Sequence, residues 1–344
     1  MKKVAGLVAA LVLASPISAA EPSAPAHRVV TSFPVGGDGG WDYLTLDAAT
    51  RRLFVSRGTH VMVLDADSGK VVGDIPGTEG VHGIALAPEL KRGFTSNGRA
   101  GTVTVFDLAS LATTATVKAT GENPDAILYE PVTKRVFTFN GRGKNATAID
   151  GATLSVAGTL ALGGKPEFAV SDPAGVVYVN IEDTAEIVAF DAATLAVKAR
   201  WPIAPCQDPT GLAIDPKSKR LFAGCSGNKL LAIVSATDGK KVGTVAIGEG
   251  CDATAFDANT GLVYASNGDG TLTVIKETSP GTFSAVETVA TRRGARTMAL
   301  DPAKRRVYLP AAQYGPAPAA TEAAPRPRPP VLPGSFEILV VGRP

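Results

Sequence analysis

Histidine, cysteine and methionine occur three times each and tryptophan twice in 344 residues. So small a stock of imidazoles and thiols argues against chemistry that needs a cluster of them. The sequence has no Gly-x-Ser-x-Gly elbow, no His-Glu-x-x-His, no phosphate-binding Gly-rich loop, no Cys-x-x-Cys and no haem-attachment Cys-x-x-Cys-His. Hydrolase, zinc-protease, nucleotide and dithiol signatures are therefore missing together. The Gly-rich stretch at Gly36–Gly40 precedes a strand rather than a helix, which removes a dinucleotide reading. Charge of one sign is not in surplus either. The 34 basic residues, less Lys2 and Lys3, equal the 32 acidic ones, whereas a protein that grips phosphate backbones is usually basic, so no nucleic-acid partner is expected. After the first twenty residues no apolar run approaches the ~18 residues of a membrane helix.

What is present begins with those twenty residues. Lys2 and Lys3 precede an apolar run from Val4 to Leu13, then Ser15-Pro16 and the small residues Ser18-Ala19-Ala20. This pattern reads as a secretory signal over residues 1–20, cut after Ala20. The remaining 21–344 are then expected as one exported, soluble domain, periplasmic or secreted. No cysteine follows closely enough to take a lipid anchor. Cys206, Cys225 and Cys251 crowd into one fifth of the chain, and an oxidising compartment lets two of them pair. Cys206 with Cys225 is favoured, because antiparallel strands of one copy bring both to the same end; Cys225 with Cys251 stays open.

A repeat governs the rest. Phe54, Phe94, Phe137, Tyr178, Phe222, Tyr264 and Tyr308 end equivalent apolar pairs at steps of 40 to 44 residues. A period near 42 over seven copies marks a repeat architecture. Each copy runs an apolar strand into an Asp turn, then a basic pair, a strand bearing the aromatic, a Gly or Asn turn, and two further strands. Four short strands per copy and no helical periodicity predict an all-β, seven-bladed β-propeller. The seventh copy stops one strand short, and His27–Val35 stands before the first copy with no blade of its own. It is expected to complete the last blade and close the ring. One insertion interrupts the seventh copy: residues 311–335, too proline-rich for helix or sheet, are read as an extended or mobile surface loop on the face of the channel mouth, with a lid or partner-docking arm as the alternative. Arg326 and Arg328 are placed to approach that mouth.

The quartets FTSN, FTFN and YASN that end the second strand resemble the YVTN-repeat family of seven-bladed propellers, the YncE-like periplasmic proteins. The resemblance spans essentially the whole mature chain. It implies the propeller fold and a binding or scaffold role, and it carries no shared catalytic motif to transfer. Cys225 and Arg57 stand where the Asn is expected. Trp-Asp pairs do not recur through the copies, which sets the chain apart from that propeller subtype.

Stacking the copies places Asp42, His82, Asp125, Glu167, Thr210, Asp252 and Arg296 at the starts of the seven innermost strands. In a propeller these line the channel, so they are expected to ring one mouth. Asp42, His82, Asp125, Glu167 and Asp252 form a candidate set for a divalent cation, since hard cations take oxygen ligands and an imidazole extends the set to transition metals. With Arg296 they form a candidate ligand site, in which Arg296 alternatively neutralises part of the ring. His60 is expected as a surface histidine on the same face. The function read from the sequence is an exported, monomeric, non-catalytic binding or scaffold protein for a small ligand or an envelope protein. The alternative is a metal-assisted lactonase or lyase at the same mouth.

Overall fold

In four of the seven copies the third strand ends on an aspartate that turns the chain. One Oδ1 oxygen of Asp65, Asp107, Asp150 and Asp191 accepts hydrogen bonds from the amides two and three residues later. A short side chain that mimics a backbone turn is the reason Asp recurs there. The basic pair serves a different turn. Its first member takes a positive φ, as at Arg51, Lys91, Lys134, Lys219 and Arg305. Its second member ties blades together: the guanidinium of Arg92 donates to the carbonyl oxygens of Gly151 and Ala152, and that of Arg135 to Ala192 and Ala193.

The computed structural model describes residues 1, 27–37, 39–319, 321, 327 and 329–343. Residues 2–20 of the signal segment, and Arg326 and Arg328, lie outside the described residues. The architecture is an all-β, seven-bladed β-propeller. Strand β1 (Arg28–Pro34) precedes the first blade. Blade 1 takes β2 (Leu44–Asp47), β3 (Arg52–Ser56), β4 (Gly58–Asp65) and the first half of β5 (Val71–Ala87). Blade 2 takes the second half of β5, β6 (Arg92–Asn97), β7 (Thr102–Asp107) and β8 (Thr113–Lys118). Blade 3 holds β9 (Pro124–Glu130), β10 (Arg135–Asn140), β11 (Asn145–Asp150) and β12 (Val156–Ala161). Blade 4 holds β13 (Pro166–Ser171), β14 (Val176–Ile181), β15 (Glu186–Asp191) and β16 (Val197–Pro202). Blade 5 holds β17 (Pro209–Asp215), β18 (Arg220–Cys225), β19 (Leu230–Ser235) and β20 (Lys241–Ala246). Blade 6 holds β21 (Cys251–Asp257), β22 (Leu262–Asn267), β23 (Thr271–Ser279) and β24 (Thr282–Ala290). Blade 7 holds β25 (Ala299–Asp301), β26 (Arg306–Ala311) and β27 (Glu337–Gly342), with β1 as its outer strand.

Closure follows the expected route. β1 pairs antiparallel with β27, from Arg28 opposite Gly342 to Pro34 opposite Glu337, with a bulge between Val29 and Thr31. Blades 1 and 2 differ from the other five in sharing β5, which makes them one seven-stranded sheet.

Burial follows position in the blade. The second and third strands are buried on both faces, as in TVTVFD of β7, whereas outer strands such as TTATVK of β8 alternate exposed and half-buried residues. Continuous apolar runs belong in strands packed from both sides, and alternation in those facing water on one. The seven repeated aromatics are at most 4% exposed. They knit neighbouring blades: Phe54 meets Phe106 across blades 1 and 2, Phe137 meets Phe190 across blades 3 and 4, and Phe222 meets Phe256 across blades 5 and 6. Burying such a ring stabilises by ~1.5–3 kcal/mol, but only when the adjacent blade is present. That is why one copy cannot stand alone.

Among the described residues no helix is long and apolar enough to cross a membrane. Cys206 and Cys225 are joined by a disulfide with Cα atoms 5.3 Å apart, and Cys251 is a buried free thiol. The expectation that the insertion is too proline-rich for sheet needs correction at its base. Tyr314 and Val331 form an antiparallel bridge, flanked by Gly315 N–H to Pro330 O and Leu332 N–H to Gln313 O, each 2.8 Å. Proline lacks a donor but keeps its carbonyl, so Pro330 accepts where it could not give.

Candidate functional site at the channel mouth

The residues that end the second strand hold the mouth from behind. The Ser96 hydroxyl donates to the backbone oxygen of Asp125, and the Ser266 hydroxyl to that of Arg296. Asn180 Nδ2 donates to the backbone oxygens of Thr210 and Gly211, at 3.1 and 2.9 Å. Each clamp reaches from one blade to the ring residue of the next. The recurring Asn does related work within a blade: Asn97, Asn140 and Asn267 donate to side chains of the adjoining third strand, among them Thr104, Thr147 and Thr273. The quartet is thus a scaffold motif, and Cys225 replaces its Asn with a covalent tie to Cys206.

The clamps present a cavity of about 400 Å³ lined by all seven ring residues. Three charge clusters form within it. His82 Nδ1 lies 2.7 Å from Asp42 Oδ2 and 3.5 Å from Asp125 Oδ1. Arg296 pairs with Asp252 and, at 3.6 Å, with Asp42. Lys165 Nζ lies 2.8 Å from Glu167 Oε1 and also pairs with Glu182. Thr210 lines the cavity, but its hydroxyl donates to the carbonyl oxygen of Cys251 and so acts on the backbone. His60 does not line the mouth; it stands 3.6 Å from Asp74.

Lys165 and Glu182 were not legible as ring members. Lys165 precedes an innermost strand by a single residue and could have been found by widening the aligned window; Glu182 follows the second strand of blade 4, and only folding brings it to the mouth. With them the mouth holds five carboxyls against two permanent cations and one imidazole.

Crowding and burial shift their proton affinities. Asp125 is pushed up to about 6, chiefly by burial and further by Asp42, against the opposing pull of His82. Asp252 is likewise pushed up to about 6 by burial, although Arg296 opposes it. Glu167 rises to about 8 through burial and the Asp125 charge, partly offset by Lys165. For His82, burial works against the cation, but the Asp42 hydrogen bond and the fields of Asp125, Asp42 and Glu167 outweigh it, and its pKa is raised. Carboxyls that hold protons this tightly must release them before a cation can bind, so uptake of a cation there is tied to proton release. One oxygen each from Asp42 and Asp125 and one His82 nitrogen lie within 4.8 Å of one another, a geometry compatible with a shared metal ion.

No family model matches the sequence, and no curated protein matches it. Among solved structures, a chain of the crystal structure of a mitotic checkpoint complex is similar to this one with a TM-score of 0.73 and 14% identity, over 99% of this chain and 98% of that one. A likeness at that identity speaks to architecture alone, and the YVTN-repeat resemblance gains no support from it. What the comparison and the repeated four-stranded sheets share is the β-propeller fold.

Proposed function

We propose that the protein is an exported, monomeric binding protein of YVTN-repeat type whose channel mouth takes up a divalent cation. The observation that carries the site is the juxtaposition of Asp42, His82 and Asp125, three potential ligands from consecutive blades in one cavity. The excess of carboxyls over cations around them supports the same reading, because a bound cation would relieve their mutual repulsion. Arg296 and Lys165 confine that excess: Arg296 pairs most closely with Asp252, and with Asp42 only at 3.6 Å, while Lys165 pairs with Glu167 and Glu182, which leaves His82 and Asp125 the more available. Export is supported by the signal pattern of residues 1–20 and by the Cys206–Cys225 disulfide, a bond that persists in oxidising compartments.

Calorimetric titration of the chelated mature protein with Mg²⁺, Ca²⁺, Mn²⁺ and Zn²⁺ tests the site. The expected result is saturable binding of at least one ion, weakened about tenfold or more by Asp125→Asn. A wild type indifferent to all four ions would end the cation reading. The same three donors would leave coordination positions for a substrate, as a metal-assisted lactonase or lyase requires. Turnover of a lactone by the metal-loaded protein would move the assignment from binder to enzyme.

A further inference from the structure

Beside the mouth lies a second cavity, of about 370 Å³, built against the base of the 311–335 insertion. Its apolar surface comes from Trp41, Tyr314, Pro329 and Val331. The Trp41 ring rests on Phe336 with centroids 5.2 Å apart, and it meets Tyr314 at 6.5 Å and 47°. Two aromatic rings at that angle make a wedge rather than a closed stack. The charged side chains of the lining are two arginines, Arg293 and Arg296, and no carboxylate lines it among the described residues.

The arginines differ in commitment. Arg296 pairs with Asp252 and Asp42 at the mouth, and the neighbouring Arg292 pairs with Glu337. Arg293 is exposed and makes no ion pair with any described residue. A guanidinium offers a planar fork of donors matched to a carboxylate, and flat aromatic surface gains most from a flat apolar body laid against it.

We propose that this cavity binds a small organic anion, a planar apolar ring system carrying one carboxylate, with the ring in the Trp41–Tyr314 wedge and the carboxylate on Arg293. A cationic ligand would meet two guanidiniums there. An uncharged one would leave Arg293 without its partner. The site needs nothing from the cation at the mouth, so either can fail without the other.

Calorimetry of the mature protein in chelator, with 2-naphthoate and indole-3-acetate as probes and 2-naphthamide as the uncharged comparison, tests it. The expected outcome is one-site saturable binding of at least one carboxylate, with the amide about tenfold weaker. Arg293→Ala should weaken the carboxylate about tenfold and Arg293→Lys less, while Lys217→Ala, which removes one exposed charge elsewhere, leaves binding unchanged. Val331→Asp places a carboxylate in the cavity and should weaken binding without emptying the core. Failure of both carboxylates to bind the wild type, or binding by Arg293→Ala equal to that of the wild type, would overturn the proposal.

Discussion

Gly294 sits directly beneath the hydroxyl of Tyr314: a Cβ on Gly294 would stand 2.3 Å from that oxygen. The glycine also has φ +84°, so two separate requirements meet at one position. Gly294→Ala is expected to destabilise the protein by ~1 kcal/mol or more through backbone strain and, in addition, to lift the insertion's base away from Trp41. Gly261→Ala separates the two causes, because Gly261 has φ +70° and its Cβ would meet nothing within 4 Å. Thermal melts of both variants should show the larger loss at 294, and only that variant should bind aromatic carboxylates more weakly.

Deleting residues 27–35 removes β1, bares the edge of β27 and uncovers the apolar face that Phe33 covers. A large fall in melting temperature and aggregation at micromolar concentration are expected. A truncated protein melting with the full mature chain would contradict closure by this strand.

The mouth makes stability depend on pH in a defined direction. Asp125, Asp252 and Glu167 bind protons more tightly in the folded state than the ordinary carboxyl values near 4, up to about 6, 6 and 8. Between about pH 4 and pH 8 the folded state therefore holds more protons than the unfolded one, so these groups' contribution falls as pH rises through that window. His82, whose pKa is also raised, acts in the same sense: its contribution is complete below the unfolded value and is lost as pH climbs through the folded one. Urea melts from pH 4 to 8 should show a decline of about 3 kcal/mol or more, the scale for a single carboxyl raised from about 4 to about 6. Asp125→Asn with Glu167→Gln should flatten that slope and leave the metal-free protein at pH 8 as stable or slightly more so. A steeper slope in the double variant would contradict this account.

Thiol counting tests the disulfide. Of three cysteines only Cys251 is free, and it is buried. A thiol reagent should find about none in the native protein and one after denaturation without reductant. Reduction, or Cys206→Ser with Cys225→Ser, is expected to cost ~3 kcal/mol, the scale for bridging a loop of this length, 19 residues.

The blade count, the closing strand and the seven ring positions were legible because each follows from periodicity. The aromatic at Phe54, Phe94 and their equivalents marks the second strand, and a fixed offset from it marks the channel. Periodicity says which blade and which layer a residue occupies, and nothing about where a long side chain reaches. Arg296 was open to several ring carboxyls, and the structure pairs it with Asp252 and Asp42. Glu182 was hidden because it lies one residue beyond the second strand of blade 4, outside the positions on which the copies were stacked. The unbroken run of β5 was not legible, because four separate strands were expected in each copy, whereas β5 passes from blade 1 into blade 2 with the positive-φ glycines Gly77 and Gly80 inside it. The paired base of the insertion was missed because its prolines weighed against any ladder, although the bridge uses Tyr314 and Val331 instead.

The pairing of β1 with β27 also sets an order of events. The segment that leaves the ribosome first among the blade strands finds its partner only when the final strand arrives, so it must remain unpaired while six blades assemble. Bringing such distant segments together is slow compared with forming a local hairpin. RVVTSFP suits that wait in one respect: Arg28, Thr31 and Ser32 break its apolar residues, so it presents no continuous apolar edge during the interval, and even after pairing only Phe33 is buried.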